Sequence, residues 1–316
     1  MINPLTFARR STVRSRARFV ATFVVIAIAS GATAQEFYQT PDEAVTALVA
    51  AAKGADRNAV MRLLGPGSAK IVSSGDPVAD AATRKRFIAA YDAKHGVAMD
   101  GADKATLIVG AQNWPFPIPL VRQDGKWRFD AAAGREEILL RRIGRNELSA
   151  IQAALAYVDA QQDYAGKDRG GYAQRIVSRA GKKDGLYWPA KEGEERSPLG
   201  ELAARASAEG YGPGQQQAPY HGYYYKILTR QGANAGGGAM DYVVRGNMIG
   251  GFALVAYPAE YKNSGVMTFL VNHQGQVFEK DLGPNTARLG ATMTAFDPDN
   301  TWRKVVNAGL PQAGAR

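Results

Sequence analysis

A chain of 316 residues, 46% of them hydrophobic and 22% charged, holds enough apolar material to bury two domain cores. It contains no cysteine, which excludes disulfides, thiolate catalysis, iron–sulfur clusters and Cys-ligated zinc. The net charge of +10 is weighted to the start: removing the five arginines of residues 9–18 from the 39 basic residues leaves 34 against 29 acidic, or +5, which does not indicate a nucleic-acid partner.

The first predicted element is a secretory signal peptide over residues 1–34. Arg9, Arg10, Arg14, Arg16 and Arg18 form a basic region without acidic residues, and Phe19 to Ala29 is an apolar run of eleven residues. Ala32-Thr33-Ala34 supplies the small-residue cleavage pattern, so cleavage is expected after Ala34. The apolar run falls short of the ~20 residues of a membrane span, which favours a cleaved leader over the rival reading of an uncleaved N-terminal anchor, and no stable membrane insertion is expected after cleavage. Arg9-Arg10 suggests twin-arginine export, but Ser11-Thr12-Val13 fits that signal poorly, and general secretion is the reading. The expected location is the periplasm.

The mature chain opens with helix signals. Thr40 is a cap, Pro41 sits at the first helical position, Glu43 follows at the third, and Ala44, Val45, Leu48, Val49 and Ala52 recur at helical spacing up to Gly54. A second helix, Arg57 to Leu64, stops at Gly65-Pro66-Gly67, and a third covers Asp80 to Lys94. Strand character then begins at Lys104 to Val109. Asn113 to Leu120 is too proline-rich for a sheet centre and reads as an edge or extended segment. Val121-Arg122 leads to a turn at Gln123 to Lys126, and Trp127-Arg128-Phe129 alternates again, as a hairpin does. Helices followed by an antiparallel hairpin resemble the cone-shaped α+β fold of nuclear-transport-factor-2-like domains, which implies fold alone.

Arg135 to Tyr164 is the longest helical stretch, with a break expected at Gly144 and a new start capped by Asn146 with Glu147 beside it. Leu148, Ile151, Leu155 and Val158 form its apolar stripe. Its basic cluster (Arg135, Arg141, Arg142, Arg145) is interleaved with Glu136, Glu137 and Glu147 and reads as a solvated, self-paired face. A loop-rich stretch from Gly181 to Pro219 carries one short helix near Leu199 to Glu209. Five strands follow: Tyr223 to Leu228, Asp241 to Arg245, Gly251 to Tyr257, Val266 to Val271 and Gln276 to Lys280. A tight turn at Asn272 to Gly275 joins the last two.

Two further resemblances rest on these segments. SGDPVAD (74–80), WPFPIPL (114–120), FDAAAGREEILLRRIGRNEL (129–148), KKDGLYWP (182–189), SPLG (197–200) and HGYYYKILTRQG (221–232) resemble an uncharacterised bacterial exported family, domain of unknown function 2950. The resemblance covers nearly the whole mature chain. It implies export from a Gram-negative cell and brings no activity and no catalytic residues. In the C-terminal half, Asn146-Glu147-Leu148 opening an Ala-rich helix, QQDYA (161–165), Gly222 to Lys226, Phe252 to Tyr257 and Ser264 to Val271 look like a type IV pilin-like headpiece. That resemblance implies a helix packed across a four-stranded antiparallel sheet. The hydrophobic pilin helix and its processing site are missing, so an interaction module is expected rather than a polymerising pilin.

Residues of the types that carry chemistry are few. His95 follows a helix end and His273 lies in a turn, neither with a partner at ligand spacing, so no metal site and no cofactor are expected. His221, surrounded by Tyr220, Tyr223, Tyr224 and Tyr225, suits a ligand site or proton transfer. The alternative is an aromatic strand with a histidine at its entrance. Asp184, Tyr187 and Trp188, beside Lys182 and Lys183, have the ingredients of a recognition surface, or of a loop tucked down by its aromatics. No serine-elbow, phosphate-loop or EF-hand pattern is present.

The expectation is therefore an α+β protein. An N-terminal α+β domain (35–140) precedes a C-terminal domain (141–316) with a long helix on a four- to five-stranded antiparallel sheet. Its leading role is a non-enzymatic interaction or assembly module that binds an envelope protein. The alternative is a small-molecule binder or hydrolase using a groove near Trp188 and His221. The candidate binding residues are Asp184, Tyr187, Trp188, Tyr220, His221 and Tyr223, with no catalytic residue named.

Overall fold

The computed structural model describes residues 35–211 and 218–306. The leader expected over 1–34 lies outside the described residues.

Local signals build the first half. Thr40 Oγ1 accepts from Glu43 N, Glu43 reaches back to the Gln39 N–H, and helix α1 (Pro41–Lys53) buries its apolar face. Asp56 caps α2 (Arg57–Leu64), and Gly65 stops it at φ +85°. A short α3 (Ala69–Val72) follows, an element without a sequence signal. Helix α4 (Pro77–Ala93) starts three residues before the expected Asp80, because Asp76-Pro77 is itself a cap followed by a first-position proline. The sheet comprises β1 (His95–Met99), β2 (Lys104–Val109), β3 (Trp114–Pro115), β4 (Leu120–Gln123) and β5 (Lys126–Phe129), ordered β1-β2-β4-β5 with β3 beside β2, antiparallel throughout. Asp124 and Gly125, both at positive φ, make the β4–β5 turn. One core cluster joins this sheet to α1, with Leu48, Leu107, Leu120 and Phe129 at its centre.

Helix α5 (Ala131–Ala165) runs 35 residues without interruption, about 50 Å at 1.5 Å per residue. The expected break at Gly144 does not occur. A helical glycine costs about 1 kcal/mol against alanine, and anchoring on both sides of the position offsets that. The residues expected to cap a new helix dock the continuing one instead. Asn146 Nδ2 donates to Ser264 O at 2.8 Å, and Glu147 Oε1 accepts from the N–H groups of Val266 and Met267 at 3.0 Å each. The expected stripe is also rotated. Leu148 is 55% exposed, and the buried face is Ala150, Ile151, Ala154, Tyr157, Val158 and Gln161. In the basic cluster Arg141 pairs with Glu137 in solvent, but Arg142 does not fit a solvated face. Its guanidinium donates to Lys70 O, Ile71 O and Asn263 Oδ1, tying α3 to the loop after residue 260.

After α5, residues 166–199 are irregular, and α6 (Gly200–Glu209) ends in Gly210 at φ +102°. The remaining strands are β6 (Tyr223–Leu228), β7 (Arg230–Gln231), β8 (Met240–Asp241), β9 (Val243–Val244), β10 (Asn247–Met248), β11 (Ala253–Pro258), β12 (Met267–Asn272), β13 (Val277–Asp281), β14 (Ala295–Phe296) and β15 (Arg303–Lys304), with α7 (Thr286–Thr292) between β13 and β14. The larger sheet has the order β15-β13-β12-β11-β6 and is antiparallel. The single strand expected over Asp241 to Arg245 is instead two short strands in different small sheets. Tyr242 between them turns into the core and donates to Gln231 Oε1 at 3.0 Å. Helix α5 covers one face of the large sheet and α7 packs on β11, enclosing a second core cluster. The fold is thus α+β, as expected.

Candidate functional site

The segment HGYYYKIL (221–228) positions the site. Gly222 adopts φ +75°, and a Cβ there would lie 2.6 Å from Asn146 Nδ2 and 2.9 Å from the Ser264 side chain, so glycine lets the start of β6 approach α5. Alternation then sends Tyr223 inward. It is 0% exposed and donates to Met267 O at 2.9 Å. Tyr224 and Tyr225 remain partly accessible.

Along β6 lies a cavity of about 800 Å³. Seven tyrosines contribute to its wall: Tyr157 from α5, Tyr187 and Tyr211 from the irregular segments, and Tyr220, Tyr224, Tyr225 and Tyr257 around the sheet. The opposite wall is apolar. Leu199, Leu202, Ala203 and Ala206 fall on one side of α6 at i, i+3, i+4 and i+7, joined by Ile176 and Val177. Ring pairs stiffen the rim, with Tyr211 edge-on to Tyr220 at 5.0 Å and Tyr224 beside Tyr257 at 5.7 Å. Burial raises the phenol pKa of Tyr211, Tyr220, Tyr225 and Tyr257, so these walls are uncharged near neutrality. Arg175 and Lys226 are the cations, and no carboxylate is among the described lining residues.

Two of the six sequence candidates, Tyr187 and Tyr220, line this cavity. His221 stands next to it at φ +49°, its Nε2 3.2 Å from Glu209 Oε2 and its ring against Tyr220. Tyr223 is core. Trp188, whose segment reads as either a recognition surface or a loop tucked down by its aromatics, takes the second form: it is 5% exposed, Nε1 donates to Glu195 O at 3.0 Å, and Arg169 and Lys183 lie over its ring at 5.0 and 5.6 Å. The loop is held inward because Leu186 beside it is fully buried and Tyr187 bridges to Val177. Asp184 lines a smaller cavity of about 240 Å³ with Arg169, Arg175 and Arg179. There the backbone N–H and guanidinium of Arg179 hold its carboxyl below the usual range. Neither Trp188 nor His221 lines the larger cavity, but their sequence neighbours Tyr187 and Tyr220 do, and the space lies between α6 and β6.

Tyr157, Tyr211 and the α6 face were missed from sequence. The spacing of Leu199, Leu202, Ala203 and Ala206 was the available signal; Tyr157 belongs to the buried face of α5 and reads as an ordinary core residue. Asp76 was also missed. Its carboxylate is buried and accepts four hydrogen bonds, from Val78 N, Ala79 N, Tyr211 Oη and Gly222 N, and so braces the cleft rim from α4. Among the described residues no group of three or more His, Cys, Asp or Glu is placed to hold a metal ion. No described helix is long and apolar enough to cross a membrane.

A family model described as a protein of unknown function (DUF2950) matches residues 35–305. No curated protein and no solved structure matches the chain.

Proposed function

Since the chain belongs to the DUF2950 family of proteins of unknown function, we propose its role from its cleft: it is an exported envelope protein that binds an elongated ligand between α6 and β6. The observation that carries this reading is the cavity of about 800 Å³ with seven tyrosines in its wall. That size falls within the roughly 300–1,000 Å³ typical of organic-ligand sites, which combine apolar walls with a few polar groups. Tyrosine suits such a wall because it offers a large flat contact area with only two side-chain torsions to immobilise. The leader pattern of residues 1–34 supports export. The helix-on-sheet element order, similar to that of a pilin headpiece, supports an interaction role over a catalytic one.

Ligand-observed NMR with a library of ring-bearing and aliphatic compounds tests the reading against the unaltered chain and Ala203→Trp, which places an indole on the α6 wall. Compounds that compete with one another and are lost in a folded Ala203→Trp protein support it. Retained binding in that variant, or no binding by either these compounds or extended peptides, refutes it. N-terminal sequencing of protein from the periplasmic fraction tests export: a start at Gln35 supports it, and a start at Met1 overturns it.

A further inference from the structure

Strand β6 is the outer strand of its sheet, and its backbone can be followed residue by residue. Ala259 N–H donates to Gly222 O at 2.9 Å. Bonded and non-bonded positions alternate along an antiparallel ladder, so Tyr224, Lys226 and Leu228 exchange bonds with β11. Tyr223, Tyr225, Ile227 and Thr229 turn their backbone groups the other way.

Two of those four are already satisfied. Tyr223 exchanges both bonds with Tyr220, at 2.9 and 3.1 Å. Thr229 donates to Thr294 O at 3.4 Å and accepts from Tyr242 N at 2.8 Å. Tyr225 and Ile227 make no such backbone bond to another described residue. Two residues of open ladder thus lie between two closed ends.

That opening faces the cleft. Side chains of successive strand residues point to opposite faces, yet Tyr224, Tyr225, Lys226 and Ile227 all line the cavity. Four consecutive residues border one space only if it runs along the strand's edge. The space therefore offers two N–H groups and two carbonyls in strand register, flanked by rings and by the alkyl wall of α6. An exposed ladder edge with side pockets is the arrangement that accepts an added strand. The cations Arg175 and Lys226, with no carboxylate among the described lining residues, set the preferred charge.

We propose that the cleft binds an extended, acidic polypeptide segment that adds as a strand to the free edge of β6, exchanging backbone hydrogen bonds with Tyr225 and Ile227. This rests on the cleft being a ligand site and names what it takes.

The probe is a blocked hexapeptide that alternates Val or Leu with Glu, titrated into the full chain. Its companions are a version with Lys for Glu and two versions N-methylated at the odd or the even positions. In an added strand only alternate amides face β6. One methylation pattern should therefore abolish binding and the other leave it within about threefold, since each pattern removes either all or none of the inter-strand donors. The Lys version should bind about tenfold more weakly, and Arg175→Glu should narrow that gap. The amide protons of Tyr225 and Ile227 should become protected from exchange on binding. Equal tolerance of both methylation patterns, or preference for the Lys peptide, overturns the proposal. If ring-bearing compounds bind in the manner sensitive to Ala203→Trp but no peptide does, strand addition is wrong and the cleft reading stands. If neither class binds, the cleft reading itself fails.

Discussion

The carboxylate of Asp76 accepts the phenol of Tyr211 at 2.7 Å, although 135 residues separate them. The same oxygen accepts Gly222 N–H at 3.0 Å, while the other oxygen caps α4. One buried side chain therefore links the start of a helix in the first half of the chain to the rim of the cleft in the second. Ser74 and Asp80 hold the approach to it, through the Ser74 hydroxyl at 2.7 Å from Asp80 Oδ1.

Replacing Asp76 with asparagine puts an amide NH₂ where acceptors are needed, against either the Gly222 N–H or the α4 cap. We expect Asp76→Asn to cost about 2–4 kcal/mol, since a buried donor is left unpaired. Tyr211→Phe removes the bond to a charged acceptor together with the weaker one the phenol accepts from the His221 N–H at 3.3 Å, and should cost about 1–3 kcal/mol. Urea denaturation of the two variants measures both; a smaller loss in Asp76→Asn than in Tyr211→Phe would contradict the bracing role.

The unbroken α5 leads to a prediction of opposite sign. Gly144 is exposed, and a Cβ there would meet nothing within 4 Å. Gly144→Ala should stabilise the protein by about 0.5–1 kcal/mol, through helix propensity and lower unfolded-state entropy. A kink at this position would turn the gain into a loss, which the shift in melting temperature would reveal.

Alkaline stability follows from the phenols. Burial pushes the pKa of Tyr223 and Tyr225 well up, and that of Tyr242 up to about 12, against an unfolded value near 10. The fold favours the neutral form. Stability is therefore full below about pH 10 and declines above it, by up to about 1.4 kcal/mol per pH unit for each phenol the fold keeps neutral, because only the unfolded chain releases the proton. Absorbance should show these tyrosines ionising together with unfolding; independent titration near pH 10 in the folded protein would contradict their burial.

At acid pH the Trp188 loop is the sensitive element. Hydrogen bonds from Lys183 and then Arg169 lower the Glu195 pKa from 4.5 to about 2. A depressed carboxylate contributes above its unfolded value and loses that contribution as pH falls through the folded one, here between about 4.5 and 2. Trp188 fluorescence should hold steady at pH 4 and change towards pH 2. In Glu195→Gln the change should be present already at neutral pH.

Trp188 itself is packed rather than presented. Trp188→Ala should destabilise the protein by about 3–5 kcal/mol, the range for deleting a buried aromatic ring. A variant as stable as the parent would place the indole at the surface.

What the sequence determined by itself was local. Thr40-Pro41, the alternation around Asp124-Gly125 and the Asn272 to Gly275 turn each carry their signal within a few residues, so α1 and the two hairpins were legible, as was the α+β class. Tertiary structure decided the rest, because the deciding partners are distant. Asn146 and Glu147 have the residue types of a helix cap, and only the backbone of residues 264–267, nearly 120 positions away, makes them docking groups. The segment around Trp188 is compatible with a presented or a tucked aromatic loop, and Leu186 and the Arg169–Glu195 pair decide for the second. The open edge of β6 is invisible to periodicity. A strand's own residues specify which face is apolar, but its place at the margin of the sheet depends on the pairing of every other strand.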